Sequence, residues 1–256
     1  MSFTTRLRSK ANGTLARALA TRTVSMRNAR PVVSFTFDDF PKSAALCGAR
    51  LIERHGGCGT FYCASSFCGV ANSGETFFDA DDLAALTASG HEIGCHTASH
   101  LRVSTCARAQ LEQDLERNAR FVAERLGDVR LSTFAYPFGD IGLGAKLQLQ
   151  GRFAACRSSF PGLNRGVADL GALKAERLYS GRVDAASVER SVEAAASANA
   201  WLIFYTHDVS EDPSAFGCTP TLLETALKAA NAAGCEILTV RNALGRIAFR
   251  PASGQP

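Results

Sequence analysis

Between Pro31 and Val240 the chain alternates short β-branched or aromatic runs with stretches of helical periodicity, and no other feature limits the possible folds as much. A strand separated from the next by a helix pairs with it in parallel, so the pattern is that of βα units around a parallel sheet. Strands are predicted at 32–37, 59–63, 92–95, 131–136, 153–156, 201–206 and 236–240. Helices are predicted at 43–54, at 80–88 with a stop at Gly90, from a cap at Ser104 or Thr105 to a stop at Gly127, and at 144–150. Two more run from an Asp184 cap to about residue 197 and from Thr219 and Pro220 to Gly234. The stretch from Cys156 to Tyr179 is the least regular. About seven or eight such units in one domain of 256 residues favour a closed or nearly closed (β/α) barrel over an open doubly wound sheet.

Composition enters as a set of exclusions. With 46% hydrophobic and 20% charged residues the chain is globular rather than disordered, fibrous or coiled-coil. A Lys, Arg, Asp or Glu interrupts every apolar run before the roughly 18–20 residues that cross a bilayer. Basic residues outnumber acidic ones by 28 to 24, and seven cations, Arg6, Arg8, Lys10, Arg17, Arg22, Arg27 and Arg30, precede the first acid, Asp38. The remaining chain has 21 basic residues against 24 acidic, so no nucleic-acid partner is expected.

Residues 1–30 are therefore read as a basic extension, 31–250 as the barrel and 251–256 as a tail. In the extension Leu7, Ala11, Leu15 and Leu19 share a helical stripe, which fits weak peripheral contact with an anionic membrane; a solvated or barrel-capping extension is the plainer reading. Arg17 and Arg22 break the best apolar stretch, Leu15 to Leu19, so no secretory signal is expected. Nine Cys without a C-x-x-C pair read as reduced, mostly buried thiols, which points to a cytoplasmic protein, membrane-peripheral at most.

In barrels the reactive groups sit at the C-terminal ends of strands, and three ends stand out. The first strand ends in Thr36-Phe37-Asp38-Asp39, the third runs into His96-Thr97-Ala98-Ser99-His100, and the strand from Trp201 ends in His207-Asp208. On one helical turn His96 and His100 would share a face and could hold one metal ion, with Asp38 or Asp39 as the carboxylate ligand and the other left as a base. Two His and one carboxylate suit zinc, and also cobalt, nickel or iron. Singly, each element has an ordinary explanation: Asp pairs cap turns, and a strand-end His bonds a carbonyl. Together, in order along the chain, they are hard to explain by packing. Cys95 adjoins His96 but points to the opposite side of its strand.

The Thr-Phe-Asp-Asp motif at 36–39 and the His-Thr-x-x-His motif at 96–100, with Tyr136-Pro137-Phe138-Gly139 and His207 as weaker matches, resemble the polysaccharide deacetylases of carbohydrate esterase family 4, the NodB-homology family. The resemblance covers about residues 31–240 and implies an α/β fold, a distorted (β/α)7-type barrel in a single domain. It also implies metal-dependent removal of N-acetyl or O-acetyl groups from an acetylated carbohydrate. Carried over by motif, Asp38 resembles the general base, and Asp39, His96 and His100 the ligands of a divalent metal, zinc before cobalt, nickel or iron. His207 resembles the general acid, and the backbone N–H of Phe138 an oxyanion donor. A bound divalent ion lowers the pKa of water towards roughly 7, and Asp38 is placed to take its proton.

The chain departs from the family pattern where Phe134-Ala135-Tyr136 stands in place of an Arg before the Pro-aromatic pair. Arg157 is the candidate replacement as partner of Asp38, against a plain surface reading. The family's Asp-Trp pair, which steers the catalytic His, is absent, and Asp184 reads as a helix cap before it reads as a substitute. Tyr136, Pro137 and Phe138, with Phe40, are candidates for an apolar wall against the sugar, the alternative being ordinary core. Of Phe204 and Tyr205, adjacent on one strand, at most one faces the pocket. The leading function is N-deacetylation of a glycan containing N-acetylglucosamine. The alternatives are hydrolysis of a C–N bond in a small non-sugar amide and a catalytically silent carbohydrate-binding barrel.

Overall fold

The run Val-Val-Ser-Phe-Thr-Phe-Asp has side chains that suit burial on both faces of a pleated strand, and it forms the fully buried β2 (Val32–Asp38). A computed structural model of the chain describes residues 13–72 and 75–251. Beside β2 lies β11 (Trp201–Thr206), also fully buried, paired in parallel from Trp201↔Val32 to Thr206↔Phe37. The pair is sealed by the Trp201 indole N–H donating to Ser34 Oγ at 2.9 Å and the Thr36 hydroxyl donating to the Phe204 carbonyl at 2.8 Å.

The other strands extend this pair: β3 (Thr60–Cys63), β6 (Glu92–Cys95), β7 (Thr133–Ala135), β8 (Ala155–Arg157) and β10 (Glu176–Arg177), in the spatial order β10–β11–β2–β3–β6–β7–β8. Every pairing along this path is parallel. The short β12 (Glu236–Ile237) uses the start of the β2 edge before β3 takes over at Thr36. The curl is drawn together by backbone bonds instead of a full ladder. Leu173 N–H donates to Cys156 O and Ser158 N–H to Leu173 O, while Leu178 N–H donates to Tyr205 O, each at 2.8 Å. The distorted barrel expected from the sequence is the fold observed.

Helices cover the outside. Residues 13–18 form α1; α2 (Ala49–Arg54) continues a π-helical turn over Ala44–Gly48; α3 (Ala80–Ala88), α4 (Arg108–Leu126), α5 (Leu143–Gln150), α6 (Ala185–Ser197), α7 (Pro220–Ala232) and α8 (Val240–Arg246) follow. The helix starts follow side-chain chemistry. Asp79 and Asp184 close capping boxes on α3 and α6, and the Thr219 hydroxyl accepts from Leu222 N–H ahead of Pro220. Alternation along β2 sends Phe35 and Phe37 into the core shared with α2, α3, α6 and α7. Asp38, on the opposite face, meets Arg157.

Several boundaries differ from expectation. Helix α4 begins at Arg108 after an Ala107 cap that lends no side chain, because Ser104 is committed to Asp140 instead. The last strand stops at Ile237, since the Thr239 hydroxyl caps α8. Strand β8 is shifted to Ala155–Arg157, and the irregular stretch after it holds β10 and β9 (Val167–Asp169).

The 1–30 extension is joined to the body wherever it is described. Strand β1 (Thr23–Arg27) pairs antiparallel with β9 and with β13 (Ala248–Pro251), so neither residue 31 nor residue 250 coincides with a break in the structure. The buried Lys146 ammonium donates to the Ala16 and Leu19 carbonyls and pairs with Asp169, and Arg22 donates to the Gln150 and Phe153 carbonyls. Among the described residues no helix is long and apolar enough to cross a membrane. Leu7 and Ala11 of the proposed stripe lie outside the described residues; Leu15 and Leu19 point to solvent, 48% and 45% exposed.

Candidate active site

Asp39 follows directly from β2, and His96 from β6, two strands that flank β3, so the same end of the sheet brings them together. His96 and His100 converge, but not on a helical turn as the spacing suggested. Residues 96–100 form an irregular loop in which Thr97 and His100 take left-handed φ of 62° and 51°. A buried Asp114 on α4 shapes that loop by accepting from Ala98 N–H at 2.6 Å, Ser99 N–H at 3.1 Å and the Ser99 hydroxyl at 2.7 Å. The His96 Nδ1–H bond to the Ala135 carbonyl at 2.8 Å leaves its Nε2 bare and 3.7 Å from Asp39 Oδ1. His100 Nε2 lies 3.4 Å from Asp39 Oδ2, and ligand atoms of the three side chains all fall within 4.8 Å of one another.

The residues present fit a divalent cation. Burial, reinforced by the neighbouring Asp38 charge, pushes the Asp39 carboxyl well above the usual range, and its buried Oδ1 has no hydrogen-bond partner. A buried carboxylate oxygen left this way is costly unless a cation meets it. Burial also drives His96 down to about 3 and His100 to about 4, so both rings are neutral and able to ligate at ordinary pH.

Asp38 faces a different partner. Arg157, at the end of β8, donates through Nη2 to both Asp38 oxygens, with Oδ2 at 2.6 Å, and both side chains are buried. Burial works to raise the Asp38 carboxyl, but the Arg157 guanidinium, helped by His96 and His207, overrides it and the net direction is downward, so Asp38 is an anion beside the Asp39, His96 and His100 cluster. The guanidinium itself is sandwiched between Tyr62 and Tyr205, its carbon 5.3 and 5.1 Å from their ring centroids. The position left without Arg before the Pro-aromatic pair is thus compensated from the next strand.

These groups line a cleft of about 580 Å³ with Phe138, Gly139, Tyr179, Tyr205, His207 and Phe216. Burial lowers His207, and its buried Nδ1 is unpartnered. Asp184 does not reach it: that carboxylate is exposed and caps α6. Asp208 turns the other way and accepts from Ser214. Phe138 projects into the cleft on a left-handed residue with φ of 61°, and the turn around it is closed by bonds from Gly139 to Tyr136 and from Asp140 to Pro137, which leave the Phe138 N–H unused.

The rest of the expected wall is core. Tyr136 is buried with its hydroxyl donating to the Gly171 carbonyl, Pro137 is buried, and Phe40 stacks on Phe78 at 4.2 Å. Tyr205 lines the cleft while Phe204 stacks on Phe35, and Cys95 is buried away from the site. Sequence reasoning missed Asp114, Tyr62, Tyr179 and Phe216. Only Asp114, an acid at a buried helical position of α4, carried any signal.

Fold and cleft together define a parallel α/β barrel with its reactive groups gathered at the strand ends. Over residues 25–150 the chain matches the model of the polysaccharide deacetylase family. Among solved structures it is similar to a peptidoglycan N-acetylglucosamine deacetylase, with 13% identity, a TM-score of 0.62, and coverage of 91% of this chain and 96% of that one. The Xyl-CE4 domain of a multidomain xylanase from the hindgut metagenome of Trinervitermes trinervoides gives 15% identity and a TM-score of 0.57 over 85% and 91% of the two chains. A CE4 family pseudoenzyme from Bacillus anthracis gives 11% and 0.60 over 86% of this chain and 67% of that one. No curated protein matches the chain.

Proposed function

We propose that the protein is a metal-dependent hydrolase that removes acetyl groups, N-acetyl in particular, from a carbohydrate such as a glycan containing N-acetylglucosamine. The observation that carries this reading is the ionised Asp38, locked by Arg157, beside the Asp39, His96 and His100 cluster in one cleft. Asp39, His96 and His100 would hold the divalent ion, which supplies Lewis acidity towards the acetyl oxygen and acidifies water. Asp38 then takes the proton from the attacking water, with Arg157 fixing the carboxylate's orientation. The Phe138 N–H stabilises negative charge as it develops on the carbonyl oxygen. His207 delivers a proton to the departing nitrogen, and Tyr179, Tyr205 and Phe138 limit access of bulk water.

The test is acetate release from chito-oligosaccharides by protein stripped with a chelator and then reloaded with single metals. Release that returns with zinc, cobalt, nickel or iron is the expected result. Sugar binding without release under every metal would instead identify a silent binding barrel. Release confined to small non-sugar amides would select the other alternative.

The outward Leu15 and Leu19, close to Arg17, support peripheral contact with an anionic membrane. Deleting residues 1–30 would remove β1 and is not a clean test. Paired Leu15→Glu and Leu19→Glu changes are expected to abolish pelleting with phosphatidylglycerol vesicles, and an intact protein that never pelleted with them would end the idea.

A further inference from the structure

Two aromatic side chains among the described residues stand largely in water, Phe138 at 54% and Phe216 at 58% exposed, and both line the cleft. They stand beside different members of the reacting group. The Phe138 ring lies 4.1 Å from the His100 ring, beside the ligating cluster, while the Phe216 ring lies 5.5 Å from His207 and 5.9 Å, edge-on, from Tyr179.

Phe216 is held there by a built loop. Its carbonyl accepts from the His207 N–H and from the Thr206 hydroxyl, each at 3.2 Å, and its own N–H donates to Ser214 Oγ at 3.2 Å. Ser214 is fixed by the buried Asp208, which accepts from its N–H at 2.8 Å and from its hydroxyl at 2.5 Å. Cys218 N–H donates to the Asp208 carbonyl at 3.0 Å, and Gly217 is obligatory because a Cβ there would lie 2.2 Å from Asp208 Oδ1. Ordinary loops let an apolar ring fold back onto the body. This one commits a buried carboxylate, two hydroxyls and a glycine to keeping a phenyl ring at the cleft mouth, where only an apolar face brought by the substrate can cover it.

We infer that Phe216 is a stacking platform for the sugar residue next to the one that loses its acetyl group, so that the preferred substrate is an oligosaccharide that extends past the reaction centre on the His207 side. The inference rests on the carbohydrate deacetylase reading. An extended chain would lie across both aromatic rings, Phe138 on the side of the ligating cluster and Phe216 on the side of the candidate acid, with the acetylated residue between them. Phe216 touches neither the metal ligands nor Asp38, so its contribution is to substrate positioning.

The test compares metal-loaded wild-type, Phe216→Ala and Phe216→Trp proteins on N-acetylglucosamine and its tetrasaccharide, with calorimetric binding of the fully deacetylated tetrasaccharide as a second readout. In wild type, kcat/KM should rise from monomer to tetramer. In Phe216→Ala the tetramer-to-monomer ratio should fall about tenfold, chiefly through KM, and tetrasaccharide binding should weaken by a similar factor, while Phe216→Trp retains both. An unchanged ratio, an equal loss on both lengths, or a change in oligomeric state that accounts for the loss would overturn the inference while leaving the deacetylase reading in place. Failure of every acetylated sugar to bind or react would remove that reading instead.

Discussion

Asp38→Asn is expected to leave the protein folded and metal-loaded but to lower turnover by roughly 10²–10⁴-fold, the range over which positioned general bases act. Asparagine keeps the shape and can still accept from Arg157, but it cannot take a proton. The proposed ligands are other residues, Asp39, His96 and His100, so elemental analysis should find the metal content of the wild type. Acetate release within tenfold of wild type would remove Asp38 from the role of base. Loss of the metal along with the activity would mean that the two neighbouring acids have been assigned the wrong way round.

Arg157→Met should be the most destabilising change at the site. It strands a buried carboxylate whose two oxygens now accept from one guanidinium nitrogen, and breaking such a buried pair costs about 3–5 kcal/mol. Once the guanidinium is gone, only His96 and His207 oppose the larger effect of burial, and the Asp38 carboxyl is expected to move upward from its depressed value. The sign follows from linkage. A depressed carboxyl stabilises the wild type above the unfolded pKa, whereas a raised one favours folding only when protonated. The stability gap between wild type and variant should therefore be widest near neutral pH and shrink as the solution is acidified through the raised Asp38 value. The acid limb of kcat/KM should move to higher pH and turnover near neutrality fall by about 10–100-fold, with Arg157→Lys recovering part of it. A melting-temperature gap that is flat with pH, with an unmoved acid limb, would show that the guanidinium does not govern Asp38.

What the sequence made legible was whatever local chemistry determines. Helices α6 and α7 begin where Asp184 and Thr219-Pro220 said they would, because a cap acts within three residues of itself, and β11 was read residue for residue because nothing in its run suits water. The site came through its motifs as a list of parts. Its assembly did not, because the deciding contacts join distant segments. Arg157 meets Asp38 across 119 positions, and Tyr136 is core only because the Gly171 carbonyl, 35 residues on, receives its hydroxyl. The loop that aligns His96 with His100 depends on Asp114 of the following helix, an acid on the buried stripe whose partners periodicity alone does not name. Phe216 carried no signal, since an aromatic residue in a loop is usually covered.

Of the five residues other than glycine with positive φ among those described, four belong to the site: Asp39, His100 and Phe138 line the cleft, and Thr97 lies in the loop between the two histidines. Such conformations cost on the order of 1–3 kcal/mol each and persist only when surrounding structure dictates them. The reacting geometry is thus preorganised during folding, and a cation or substrate arrives at a mould already set. Campaigns to thermostabilise this barrel by relaxing unfavourable backbone would act first on these four positions, and each gain in melting temperature there would loosen the mould that gives the cleft its chemistry.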